Sequence, residues 1–195
     1  MYKLKILLLV LILPILANAQ KNIEVANIYD GTFRQESVYN VNWMNDGQYY
    51  SAREGNDIVK YDVTTGSIVE TILKGDDLEP AIRFSSYIFS ADEKKVLLLT
   101  DRQSIYRRSY TAEFYVYDFN DKSLTKLSEG GRQSYATFSP DGSMVAFTRD
   151  NNLFYVDLTS NKEVQITDDG KFNEIINGSS DWVYEEELYL TKAFD

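Results

Sequence analysis

The sequence predicts an all-β protein that folds as a β-propeller fragment, with about three four-stranded blades and the start of a fourth. A unit of short strands recurs along the chain, turn residues separate its strands, and no stretch after residue 19 has the apolar spacing of an amphipathic helix. Four-stranded units that repeat every 40 to 50 residues or so are typical of propeller blades. We expect blades at about residues 41–75, 84–130 and 135–170, with the next beginning at residue 171.

The composition is that of a folded protein with an acidic surface. Of 195 residues, 44% are hydrophobic, and 20 Lys and Arg stand against 30 Asp and Glu, for a net charge of -10. Nucleic acids and anionic membranes bind basic patches, so neither is expected as a partner, and cationic ligands fit better. The chain has neither Cys nor His, which excludes disulfides, thiolate chemistry and a self-contained Ser-His-Asp triad. Neither a cofactor nor a metal site is predicted.

The amino terminus reads as a signal peptide over residues 1–19. Two lysines precede an apolar run at 6–16, and Ala17-Asn18-Ala19 has the small-x-small pattern of a signal peptidase site. The run is shorter than the roughly 20 apolar residues that span a bilayer. We therefore expect export, to the periplasm, the cell envelope or the medium, and a lead-in segment at 20–40 before the propeller region at 41–195.

The first and last units are copies of one pattern. "VNWMNDGQYYSAREGNDIVKYDVTTGSIVETILKG" aligns with "ATFSPDGSMVAFTRDNNLFYVDLTSNKEVQITDDG", and the turn aspartates Asp46 and Asp141 stand at the same distance from the glycine that closes each unit. In the last unit the strands are predicted where β-branched and aromatic residues concentrate. These predicted strands are Tyr135–Phe138, Met144–Thr148, Leu153–Leu158 and Val164–Thr167.

The middle unit carries an insertion. Its turn aspartate, Asp92, and its strand aspartate, Asp118, are farther apart than in the other units, and the extra residues lie around "DRQSIYRRSY", Asp101–Tyr110. An insertion here lengthens a loop at one rim of the blade, where function is commonly placed, although surface insertions are also tolerated without one. In an otherwise acidic protein this one concentrates three arginines: Arg102, Arg107 and Arg108.

An acidic run, "DWVYEEEL", lies near the end of the chain. Two readings compete: a solvated acidic turn, which is the usual meaning of such a run, and a cation site. Neighbouring carboxylates raise each other's proton affinity, and an ammonium group relieves their repulsion while donating three hydrogen bonds. The aromatic residues of the run, Trp182 and Tyr184, are interpreted as core residues of a fourth blade.

Two segments, "INGSSDWVYEEEL" and "YRRSYTAEFYVYD", resemble the propeller domain of dipeptidyl peptidase IV, in the prolyl oligopeptidase family of serine exopeptidases. "IYDGTFR", from Ile28, is similar to that family's lead-in segment. The resemblance implies that Glu186 and Glu187 bind the free α-amino group of a peptide and that Arg107 contacts the first carbonyl oxygen, so that dipeptides are released. It assigns no role to Glu185, Arg102 or Arg108.

The resemblance places the catalytic residues in an α/β-hydrolase domain that this sequence does not contain. No Gly-x-Ser-x-Gly elbow occurs in the chain, so we expect no catalytic residue here and no activity from this chain alone. A homodimer of the full-length protein is compatible with the resemblance. The alternatives are a non-catalytic exported propeller that binds a protein or glycan, and a decayed gene fragment.

Overall fold

The computed structural model describes residues 23–35 and 40–195, and the chain divides into two compact units, Met1–Ser37 and Val38–Asp195. The described part of the first unit contains one helix, α1 (Val25–Tyr29). The predicted signal peptide lies outside the described residues, and so does part of the predicted lead-in segment. No helix in the described part of the chain has the length and apolar character needed to cross a membrane.

The second unit contains three four-stranded antiparallel sheets, in each of which neighbouring strands are consecutive in the chain. This confirms the predicted fold class. The first sheet comprises β1 (Asn42–Trp43), β2 (Tyr49–Glu54), β3 (Asp57–Asp62) and β4 (Ile68–Leu73); the second, β5 (Ser86–Phe89), β6 (Lys95–Ser104), β7 (Tyr110–Asp118) and β8 (Ser123–Lys126); the third, β9 (Ser134–Phe138), β10 (Met144–Arg149), β11 (Asn152–Asp157) and β12 (Lys162–Gln165). A short 3-10 helix, Gly75–Asp77, follows the first sheet.

Aspartate side chains close the turns between strands. Between β9 and β10 the Asp141 carboxylate accepts hydrogen bonds from the Ser139 hydroxyl at 2.6 Å and from the Ser143 backbone N–H at 3.0 Å. These bonds, with one from the Ser143 hydroxyl, lower the pKa of Asp141 to about 2. Asp46 closes the corresponding turn of the first sheet, where its carboxylate accepts the backbone N–H of Gln48 at 2.9 Å. The recurring turn motif therefore has a local structural cause.

The middle sheet is buried on both faces. Along β6 the side chains alternate: Val96 and Leu98 pack in a cluster with Ile58 of the first sheet, whereas Leu97 and Leu99 pack in a second cluster with residues of the third sheet. A strand covered on both faces reads as a continuous apolar run, which explains the sequence "VLLL". Each such side chain contributes about 1.5–3 kcal/mol when it is fully buried.

The insertion extends a hairpin rather than a loop alone. Strands β6 and β7 are 10 and 9 residues long, and their pairing continues past a register shift between Thr100 and Gln103 to the pair Ser104 and Tyr110. Asp101, at the shift, has a φ of 45°, in the left-handed region. The turn that remains is the segment 105–109, called here the hairpin loop.

The acidic run forms a second short helix, α2 (Trp182–Leu188), which the sequence analysis does not predict, since no stretch after residue 19 has helical apolar spacing. The interpretation of Trp182 and Tyr184 as core aromatics of a fourth blade is wrong, because both lie on α2 and are 53% and 50% exposed. The helix forms because Asp181 caps it, accepting the backbone N–H of Tyr184 at 3.0 Å, and it ends at Tyr189, whose φ is 59°. A blade beginning at residue 171 stays a prediction.

Candidate functional site

The hairpin loop and α2 meet although they are far apart in the sequence. Three interactions join them: the Glu185 carboxylate with the loop backbone, Arg107 with Glu186, and Arg108 with Tyr189. The contact brings the predicted basic insertion to the predicted acidic run. We call this arrangement the loop–helix site.

Glu185 lies at the centre of the loop–helix site. The residue is 1% exposed, and its carboxylate accepts the backbone N–H groups of Arg108 at 2.6 Å and of Ser109 at 3.1 Å. Burial favours the protonated acid, but the polar groups of Ser109 and the backbone N–H of Arg108 outweigh it, so the pKa of Glu185 lies below its ordinary value. The buried side chain is therefore an ionised hydrogen-bond acceptor at neutral pH.

Arg107 and Glu186 form an ion pair at the rim of the site. The Arg107 Nη1 atom lies 3.4 Å from the Glu186 Oε2 atom, and the two side chains are 72% and 17% exposed. An ion pair this open to solvent contributes about 0–1 kcal/mol. The ion pair therefore does little to fix the exposed Arg107 guanidinium, whereas the Glu186 side chain is half-buried.

Glu187 is exposed at the following position of α2, and it forms no ion pair with any other described residue. Consecutive residues of an α-helix point about 100° apart, since there are about 3.6 residues per turn. The structure thus joins Arg107 to Glu186 directly, while Glu187 lies beside Glu186 through chain adjacency alone. Among the described residues, Glu187 forms neither an ion pair nor a hydrogen bond with Arg107.

The other two arginines of the insertion, Arg102 and Arg108, each pack on an aromatic ring. The Arg108 guanidinium carbon lies 4.2 Å from the centroid of the Tyr189 ring, and that of Arg102 lies 4.6 Å from the Tyr110 ring. Arg102 also donates to the Ser104 hydroxyl oxygen at 2.9 Å. These residues and Glu185 are the functional candidates that sequence reasoning missed. A helical reading of "EEE" would have shown that the three glutamates cannot share one face, but not which of them is buried.

A cavity of about 710 Å³ borders the site between the hairpin loop, the third sheet and the start of α2. Ser109, Tyr135 and Trp182 are among its lining residues. Burial, and then the charge of Glu185, raise the pKa of Tyr135 to about 12, so this phenol stays protonated. No group of His, Cys, Asp and Glu side chains in the described segments could hold a metal ion.

Comparisons with known proteins identify relatives of this chain. Over 176 residues the chain is 34% identical to "Prolyl endopeptidase FAP" of Homo sapiens, matching 90% of this chain and 23% of that protein. It is 45% identical over 108 residues to "Probable dipeptidyl-aminopeptidase B" of Colletotrichum graminicola, matching 53% of this chain and 12% of that protein. The crystal structure of Porphyromonas gingivalis dipeptidyl peptidase 4 superposes with a TM-score of 0.79 at 39% identity, covering 89% of this chain and 26% of that one.

These likenesses define the class as the amino-terminal propeller region of a peptidase. Residues 90–194 match the protein-family profile described as "Dipeptidyl peptidase IV (DPP IV) N-terminal region", and the chain belongs to that family. The resemblance to dipeptidyl peptidase IV is thereby confirmed. The chain spans about a quarter of the length of the human protein and of the Porphyromonas gingivalis structure that it matches.

Proposed function

We propose that this chain supplies the part of a dipeptidyl peptidase that binds the free amino terminus of a peptide. Glu186 and Glu187 hold the α-ammonium group, and Arg107 contacts the first carbonyl oxygen. The observation that carries the proposal is the ion pair between Arg107 and Glu186, which places a guanidinium beside a carboxylate from a distant part of the chain. The names of the relatives, all peptidases, support a peptide as the ligand.

The chemistry of the three side chains suits a peptide amino terminus. An ammonium group donates three hydrogen bonds, and two adjacent carboxylates offer acceptors and negative charge on one end of α2. The planar guanidinium of Arg107 donates in a fixed fork, which fits a carbonyl oxygen. A peptide bound by its amino terminus places one peptide bond, the one after its second residue, at a fixed distance from this site. A hydrolase domain outside this sequence would cleave that bond and release a dipeptide.

We also propose that the protein is exported from the cytoplasm. The lysines, apolar run and Ala17-Asn18-Ala19 within residues 1–19 support a cleaved signal peptide and an enzyme that meets peptides outside the cytoplasm. Mass spectrometry of the protein made in a secreting host tests this. A mature chain that begins near Gln20 is expected, and a chain that retains Met1 would contradict it.

Binding of a small peptide tests the proposed site. The tripeptide Ala-Ala-Ala is titrated into the chain and followed by NMR, beside its N-acetylated form, which lacks the charged amine. We expect the free tripeptide to bind and the acetylated one to bind at least about 10-fold more weakly, because two charge-assisted hydrogen bonds are lost. The double variant Glu186→Gln, Glu187→Gln should lose the same preference.

The matched control is Glu129→Gln, an exposed glutamate outside the loop–helix site, whose side chain is 86% exposed. This variant should bind the tripeptide as the parent does. Equal binding of the free and acetylated tripeptides, or an unchanged preference in the double variant, would overturn the proposed function and favour a non-catalytic propeller.

A further inference from the structure

Glu185 has no part in the proposed contact with a peptide, because its carboxylate is enclosed by protein. It is the one charged residue among the buried side chains that the structure describes. An ionised carboxylate in such a place is destabilising unless its oxygens are hydrogen-bonded. Its partners therefore indicate what the residue does.

The partners of Glu185 are backbone groups of the hairpin loop. Its Oε1 atom accepts the N–H of Arg108 at 2.6 Å and the N–H of Ser109 at 3.1 Å. Hydrogen bonds to a charged acceptor are roughly twice as strong as neutral ones. Because a backbone N–H is rigidly joined to the chain, these two bonds fix the course of the loop itself and not merely one side chain.

The fixed backbone lies directly beside the proposed peptide-binding residues. Arg108 follows Arg107 in the loop, and Glu185 precedes Glu186 on α2. Consecutive Cα atoms are about 3.8 Å apart, so the Glu185 contact sets the spacing between the two proposed binding groups. The ion pair of Arg107 and Glu186 cannot set that spacing, since the Arg107 side chain is 72% exposed and the pair is weak.

A second contact, between Arg108 and Tyr189, limits rotation of the hairpin loop around its contact with Glu185. The Arg108 guanidinium stacks on the ring of Tyr189, the residue that ends α2, with 4.2 Å between the guanidinium carbon and the ring centroid. The loop is thus attached to α2 at two places, one at Glu185 within the helix and one at Tyr189, just beyond its last residue. Two attachments define an orientation, whereas one defines only a distance.

We propose that Glu185 is a positioning residue, which binds the hairpin loop to α2 so that Arg107, Glu186 and Glu187 meet in one site. The proposal rests on the proposed function for its effect on peptides. Its structural part, attachment of the loop by the Glu185 carboxylate, stands on the contacts alone, so the two can fail separately.

Amide hydrogen exchange tests the structural part. In the variant Glu185→Gln the side chain keeps its shape but loses its charge, so the N–H groups of Arg108 and Ser109 should exchange about 10-fold faster or more, as expected for a lost charge-assisted hydrogen bond. NMR measures both amides individually. Glu129→Gln should leave them unchanged, and unchanged exchange in Glu185→Gln would overturn the proposal.

A double-mutant cycle tests the effect on peptides. As a single substitution, Glu185→Gln should weaken Ala-Ala-Ala binding by about 10-fold. In the Arg107→Ala background the same substitution should weaken binding by about 2-fold or less, because Glu185 then has no guanidinium to position. Equal losses in both backgrounds would overturn the positioning role. Failure of the Glu186→Gln, Glu187→Gln test, with fast exchange in Glu185→Gln, would instead remove the proposed function and leave the loop attachment intact.

A second variant covers the case in which Glu185→Gln does not fold. Glu185→Asp keeps the charge but shortens the side chain by one methylene, so it should fold and protect one of the two amides less well. Native exchange at both amides with native binding would overturn the proposal. If neither variant folds by circular dichroism, Glu185 is a residue required for folding itself, and the positioning role is refuted.

Discussion

At the scale of single residues, three identical side chains in succession occupy three environments. Glu185 is buried against the hairpin loop, Glu186 is half-buried in an ion pair, and Glu187 is exposed. The helix causes the difference, because it turns each successive side chain by about 100°. Residue type alone therefore does not determine the role of a glutamate here; its position around α2 does.

The turn aspartate Asp141 gives a prediction about acid stability. Its pKa of about 2 in the folded chain lies below the ordinary value of about 3.9, so the unfolded chain binds the proton more tightly. The stabilisation is thus present above about pH 4 and is lost as the pH falls toward 2. Urea unfolding should show Asp141→Asn less stable than the parent at pH 5, with the gap closing near pH 2.

Asp168 provides the control for that measurement. It is exposed, and in the described part of the chain its carboxylate accepts no hydrogen bond from a turn. The variant Asp168→Asn should unfold like the parent at both pH values. If the difference in free energy of unfolding between the parent and Asp141→Asn stayed constant from pH 5 to pH 2, the charge of the Asp141 carboxylate would not be what stabilises the turn.

At the scale of elements, α2 is a short helix that depends on its ends. Seven residues are fewer than the dozen or so that an isolated helix needs in water, so the cap and the contacts with the hairpin loop must stabilise it. The first of these is the Asp181 carboxylate, which accepts the N–H of Tyr184. The second is Glu185, which attaches the helix to the loop.

Replacing the helix cap, Asp181, should lower the free energy of unfolding. Asp181→Ala removes the acceptor and should lower the free energy of unfolding by about 1 kcal/mol, whereas Asp181→Ser keeps an acceptor and should cost no more than a few tenths. Urea titration followed by circular dichroism measures both. Equal stability of the two variants would mean that the N–H of Tyr184 is satisfied in another way.

The sequence predicts the strands better than it predicts α2 or the centre of the site. Strands and turns are encoded locally, by β-branched runs and by aspartates such as Asp141, whereas a seven-residue helix shows too few turns for its period to be recognised. The insertion and the acidic run stand out by their charges, but within them only the resemblance to dipeptidyl peptidase IV points to Arg107 and Glu186. The sequence does not reveal the role of Glu185, because its partners are backbone N–H groups, which almost every residue type carries.

At the scale of the whole second unit, the middle sheet joins two cores. One face of β6 contributes Leu98 to the cluster shared with the first sheet, and the other face contributes Leu97 to the cluster shared with the third. Each sheet buries a face only against its neighbour, so the stability of each depends on the stack. Disruption of either apolar cluster should therefore destabilise all three sheets.

Truncation of either leucine tests this coupling. Leu97→Ala and Leu98→Ala should each lower the free energy of unfolding by about 2–5 kcal/mol, because each removes a fully buried side chain. Ile88→Ala, at a residue of the same sheet that is 45% exposed, should cost clearly less. Tryptophan fluorescence and circular dichroism should report one shared transition; separate transitions would mean that the sheets unfold independently.

The length of the β6–β7 hairpin makes the loop–helix site sensitive to the angle between sheets. Past Thr100 the hairpin projects by four residues, or about 13 Å at 3.3 Å per residue, so tilting the second sheet by about 5° moves its tip by about 1 Å. Helix α2, in contrast, follows the third sheet in the chain. A change in the angle between the second and third sheets should therefore strain the contact of Glu185 with the hairpin loop, which fixes the spacing between Arg107 and Glu186. Mutations among the apolar residues packed between those two sheets are expected to weaken the proposed peptide binding although they lie outside the site.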